Sequence, residues 1–133
     1  MVEVSIGFVI LAIILSGLLD LGRAYFIHIA LEDGVGEAAL YLSINPACRT
    51  AADGPDCADP NNATYRAENA GGAQVDWHSA TINIDRPDPY GVGDPVSVSI
   101  TYPFHLVSPF VPQFAGINPI YLGVSASQVI IGE

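Results

Sequence analysis

The chain has 133 residues, room for one modest domain. It carries 4 Lys+Arg against 14 Asp+Glu, a formal net charge of -10, which excludes nucleic acid and anionic lipid as partners because both need a basic surface. Half of it is hydrophobic, and that half is concentrated towards the amino terminus, ahead of nearly all the Pro, Asp and Asn.

The first element is a long helix. Residues 4–19 carry no charge. Counted from Met1 at about 1.5 Å per residue, the apolar run reaches roughly 28 Å, just enough to span a hydrocarbon core. Glu3 then lies near one interface, and Asp20 and Arg23 near the other. The last two are spaced i,i+3 and can pair on one helix face. No Lys or Arg precedes Arg23, and the helical pattern outlasts the apolar run, so the segment does not read as a signal peptide. Ala24, Ile27, His28, Leu31, Val35, Ala38, Ala39 and Leu42 recur at helical steps. Asn45-Pro46 stops the helix, because the residue before proline resists the α region. The expected element is one helix over residues 1–44, roughly 65 Å long. Its first half is apolar all round. Its second half is amphipathic and needs something to dock on.

Five glycines punctuate this helix. Gly7, Gly17, Gly22, Gly34 and Gly36 either allow close helix–helix approach or mark local unwinding. Glu3 has two readings of equal weight. It is either a solvated carboxylate favoured by the helix dipole, or the partner of an α-amino group, its own at Met1 or that of a neighbouring copy.

Residues 45–133 form the second region. Cys48 and Cys57 lie in a Pro/Asp/Gly-rich loop without a His cluster, which reads as a disulfide formed outside the cytoplasm. Asp53, Asp56 and Asp59 recur around that loop, and the expectation is a solvated acidic loop rather than a calcium site. Asn62-Ala63-Thr64 is a glycosylation sequon. Asn61 and Asn62 are candidate caps for a short helix closed by Gly71-Gly72. Trp77 is expected to start a strand and to lie in the core.

Beyond it the period changes to two. Ala80, Ile82 and Ile84 alternate with polar residues, as do Val96, Val98, Ile100 and Tyr102, and then Ile120, Leu122, Val124 and Ala126. One apolar face per strand predicts an antiparallel sheet covered on one side. The covering element is the rear of the long helix. The fold class is α+β. A Pro/aromatic loop over residues 104–119 holds Phe104, Phe110 and Phe114 and reads either as an exposed interface or as a lid on the sheet.

The three histidines, 28, 78 and 105, form no metal-binding spacing, and no nucleophile or phosphate motif is present. The expectation is a non-enzyme with no cofactor and no metal.

Two stretches carry a family resemblance. Val2-Glu3 ahead of an apolar run, followed by Gly17-Leu18-Leu19-Asp20-Leu21-Gly22-Arg23-Ala24-Tyr25, resembles the opening of TadE-like pilins and pseudopilins of the tight-adherence class of type IV pili. Val96-Ser97-Val98-Ser99-Ile100-Thr101-Tyr102-Pro103-Phe104 and Val124-Ser125-Ala126-Ser127-Gln128-Val129 are similar to that family's closing strands. The resemblance covers residues 1–45 and about 95–133; the middle fits no pattern of the family. It implies a precursor cut by a prepilin peptidase at the cytoplasmic side of the membrane, and assembly by inner-membrane pilus machinery. It also implies a filament of identical copies packed through their amino-terminal helices outside the cell, with a role in adhesion. In such a filament Glu3 meets the amino terminus of a neighbour, and Met1, Gly7, Gly17 and Gly22 lie in the packed core. The missing basic leader fits a processed chain. Two alternatives stand beside this: a minor pseudopilin that primes or tips a filament of another subunit, and a single-span anchored domain that binds a partner and never polymerises.

Overall fold

A computed structural model describes residues 2–108, 116 and 118–132. Met1, Phe110 and Phe114 lie outside them, and with them the expectations placed on those residues.

Helix α1 (Val2–Ile44) runs unbroken, so none of its glycines unwinds it. It ends where the sequence says it must, before Pro46, with the Asn45 N–H donating to Tyr41 O. Helix α2 (Ala63–Gly71) starts at Asn62, whose side chain accepts from the Tyr65 N–H at 2.8 Å. It stops at Gly72, whose φ of 71° suits glycine. Three strands follow: β1 (Thr81–Asp85), β2 (Pro95–Phe104) and β3 (Ile120–Val129). They form one antiparallel sheet in the order β1-β2-β3. The molecule is therefore α+β, a long apolar amino-terminal helix packed on a small three-stranded antiparallel sheet.

Period two decides the sheet's faces. Val96, Val98 and Ile100 of β2 are fully buried, and Ile82, Ile84, Leu122, Val124 and Ala126 pack beside them. The opposite face carries Thr81, Asn83, Ser97, Ser99, Thr101, Ser125 and Ser127, the polar side of the same alternation. The rear of α1 covers the apolar face with Ile27, Leu31, Val35, Ala38, Ala39 and Leu42. Burying side chains of that size stabilises by about 1.5–3 kcal/mol each, before chain entropy is counted against it.

α2 closes against the flank of α1. A Cβ on Gly34 would lie 2.8 Å from Ala67 O, and one on Gly71 would meet the Trp77 ring and Ala30 O. These two glycines are where the helices touch backbone to backbone. Arg66 of α2 adds a guanidinium 5.3 Å from the Tyr41 ring centre. Trp77 sits in a turn rather than at the start of a strand. Its ring fills the gap beside Gly34 and Gly71, and its indole N–H donates to Gly72 O at 2.9 Å. At the far end the chain after β3 returns to α1: the Ile131 and Gly132 N–H groups donate to Ser43 O at 2.7 and 3.1 Å, occupying a helix-end carbonyl.

Candidate functional site

The candidate site is the front of α1. Over residues 2–19 the helix is largely uncovered: Val2, Val4, Phe8, Leu15, Leu18 and Leu19 all stand more than half exposed, and only Ile13, Ser16 and Gly17 are half-buried, on the side that leads to Asp20. The 18-residue apolar window there is 0% buried, and by length and composition it can cross a membrane. A helix apolar all round and so little covered needs lipid or other helices around it. Glu3 is exposed in the first turn, where the helix dipole favours an acid.

The glycines separate into two kinds. Gly7, Gly17, Gly22 and Gly36 have nothing within 4 Å of an added Cβ. Among the described residues they make no close approach, whereas Gly34 does. Gly7 and Gly17 thus leave the bare surface of the front half locally flat and open to another helix.

Asp20 marks the boundary between the bare half and the docked half. The expected i,i+3 pair with Arg23 is present, at 3.7 Å. It is the smaller part of what Asp20 does. The carboxylate is only 4% exposed and accepts from the backbone N–H of Val107 at 3.1 Å and of Ser108 at 2.9 Å. It thus pins the start of the loop that follows β2 to the point where α1 leaves the domain. Arg23 completes the collar with its guanidinium 5.4 Å from the Phe104 ring centre. The partners of Asp20 are 87 and 88 residues away, so helical spacing had no means of showing them. The one available signal was a lone acid ending a sixteen-residue uncharged run.

Burial decides against two of the readings that the sequence left open. Phe104 is not part of an exposed interface: it is the last residue of β2 and 2% exposed in the core, because β2 runs two residues beyond Tyr102. Asn62 is not displayed on the surface as a glycan acceptor would be. It is 1% exposed, and its Nδ2 donates to Cys57 O at 3.1 Å and to Asp59 Oδ1 at 2.7 Å. The nitrogen that a sugar would join is enclosed in the cap of α2.

Cys48 and Cys57 are bonded, with Cα atoms 5.0 Å apart. Within their loop Asp53 caps a short turn. It accepts from the Thr50 N–H at 2.7 Å and from Arg49 Nη2 at 3.0 Å. The Thr50 backbone bond foremost holds the Asp53 carboxyl below its ordinary range; burial comes next and pushes it up, and the Arg49 side-chain bond, charge and backbone N–H add to the lowering. Asp59 is engaged with Asn62, so Asp53 and Asp59 serve separate local bonds. Among the described residues no group of three or more His, Cys, Asp or Glu is placed to hold a metal. His28 faces Glu32 one turn on, at 3.6 Å.

Compared with protein families, curated proteins and solved structures, the chain matches none.

Proposed function

We propose that this chain is a structural pilin-like subunit that polymerises through the front half of α1 into an extracellular filament. The observation that carries the reading is the division of one unbroken helix into a docked rear and an all-round apolar front left largely uncovered by the other described residues. The front is anchored in the membrane before assembly, and the same surface is buried among the helices of other copies afterwards. Gly7 and Gly17 give those helices room to approach. Glu3, at the tip, meets the α-amino group of a neighbour, since a carboxylate among apolar helices is costly unless paired. The small disulfide-bearing domain faces the medium. Its role is contact, and adhesion is the use we assign to it.

Electron microscopy of filaments sheared from the source cells, with the constituent identified by mass spectrometry, tests the reading. The expected result is filaments made mainly of this chain, and a Glu3→Ala variant that keeps a folded exported domain yet assembles poorly. Normal filament yield from that variant sinks the docking role of Glu3. Filaments made of another subunit, with this chain scarce, point to a priming or tip pseudopilin. Cells with the chain in the membrane and no filaments leave the single-span anchored domain, for which the same bare helix suffices.

A further inference from the structure

The two edges of the sheet are built differently. β1 is five residues long, ends in Asp85 and runs into Arg86-Pro87-Asp88-Pro89. Shortness, charge and proline are the usual devices that keep an edge from pairing with another chain. β3 has none of them. It is ten residues long without a charge or a proline, and its register with β2 is unbroken from Ile120 to Val129. Among the described residues its outer edge has no ladder partner. Its inward side chains show the gap: Leu122, Val124 and Ala126 stay half-buried, whereas Val96, Val98 and Ile100 of the central strand are closed off completely. Tyr121 and Val129, at its two ends, are 69% and 51% exposed.

We infer that this edge pairs antiparallel with β3 of a second copy, about a two-fold axis at Ser125. Charge narrows the occupant to an uncharged strand, and β3 of a second copy is one. Two copies of a chain with net charge -10 repel over most of their surface, and β3 is an uncharged stretch along which they can meet. A basic partner, the natural complement of an acidic chain, finds no acid on this strand to pair with. The strand is also self-complementary. Centred on Ser125, Tyr121 faces Val129 and Gly123 faces Ser127 on the outer face, while Val124 faces Ala126 and Leu122 faces the exposed Gln128 on the inner one. Aromatic against β-branched is a favourable cross-strand pair, and no like charges are opposed. The product is one continuous sheet built from two three-stranded ones.

The symmetry has a consequence for where the contact forms. The axis stands perpendicular to the sheet, so it reverses every direction that lies along the sheet, including that of α1 packed across it. Two copies rooted in one membrane from the same side have parallel helices and cannot pair in this way. The contact therefore joins copies carried on opposed surfaces. This step rests on the anchor part of the function proposed above and is independent of polymerisation.

The test uses the full chain in detergent micelles. Cys48 and Cys57 are bonded to each other, so a Ser125→Cys variant carries one reactive thiol. A short bis-maleimide linker should join Ser125→Cys chains into dimers and leave Asn83→Cys, on the other edge, monomeric. Ser125→Lys sets two ammonium groups face to face at the axis and should weaken dimerisation at least roughly tenfold by sedimentation, with near-UV circular dichroism unchanged. A second readout is phosphatidylcholine vesicles carrying the wild-type chain, which should clump, while vesicles carrying Ser125→Lys should stay dispersed. The inference is overturned by a monomeric wild type, by a dimer that survives Ser125→Lys, by linkage through Asn83→Cys, or by vesicles that clump regardless of the lysine. A chain that fails to float with the vesicles overturns the anchor reading instead, and the linker result still decides the pairing.

Discussion

Replacing Asp20 with alanine removes the acceptor of two backbone N–H groups at once, and the two losses are unequal. Val107 is 70% exposed, so water can take over its bond at little net cost. Ser108 is 5% exposed, and its N–H is left without a partner where water does not reach. A buried donor stranded in this way costs about 1–3 kcal/mol, and bonds to a charged acceptor lie in the upper half of that range. The ion pair to Arg23 is also lost; that guanidinium is 52% exposed, so the pair adds less than about 1 kcal/mol. The sum is a destabilisation of about 2–3 kcal/mol. Asp20→Asn keeps one carbonyl oxygen and sets an amide N–H against the other donor, so it should lose roughly as much as one such bond. The assay is urea unfolding of the full chain in non-ionic detergent, followed by the fluorescence of Trp77, the only tryptophan. Hydrogen exchange at the Ser108 amide is the local readout. A shift in Asp20→Ala below about 0.5 kcal/mol, with the Ser108 amide protected as before, would refute the clamp, since surface substitutions alone produce effects of that size.

Three further outcomes follow from named contacts. Gly34→Ala should destabilise by about 1–3 kcal/mol, because its Cβ meets the backbone oxygen of Ala67, whereas Gly36→Ala meets nothing and should stabilise by up to about 1 kcal/mol; parallel denaturation curves compare them. Removing the disulfide by Cys48→Ser with Cys57→Ser should cost roughly 2.5 kcal/mol in the chain-entropy model for a loop of this size, read as a lower urea midpoint. Asp53 has its carboxyl held below the ordinary range in the folded chain, so its contribution is complete above the unfolded value of about 3.9 and is lost as pH falls through the lower folded value. Acid titration followed by the amide signals of residues 49–53 should show that loss, and Asp53→Asn should abolish it.

Much of the architecture was legible because it rests on periodicity. The step from three- and four-residue spacing to alternation separates α1 from β1, β2 and β3, and Pro46 marks the helix end without help from tertiary structure. What stayed hidden depends on residues distant in sequence or on competing uses of one side chain. Asn62 satisfies both a cap rule and a sequon rule. Local spacing cannot show that the cap buries the amide. Phe104 opens a Pro/aromatic stretch by composition, but the ladder with β3 extends to the pair Phe104 and Ile120, which draws the ring into the core. Trp77 was recognisable as a packing residue. Its place in a turn was not, because the cavity it fills is made by two glycines far apart in the chain, Gly34 and Gly71. The acid at position 20 looked like half of a helix-surface pair because only its near partner is local.

Asp20 also sets the rotational phase of the helix. Asp20, Ala24, Ile27, Leu31, Val35, Ala38 and Leu42 follow one another at four- and three-residue steps, so the carboxylate is the foremost member of the stripe that faces the domain. From position 20 onward, each residue inserted or deleted would turn that stripe by about 100° and swing it off the sheet. Ahead of position 20 the stripe fades through the half-buried Gly17, Ser16 and Ile13, and over residues 2–12 every side of the helix is exposed. The front can therefore change in length or rotate against its surroundings without disturbing the domain, while the domain stays keyed to the helix in a single orientation. Under the proposed function, a subunit built in this way would move from lipid to protein neighbours without refolding. What would pass between the two environments is a smooth shaft, and the key that fixes the direction of the domain sits just behind it.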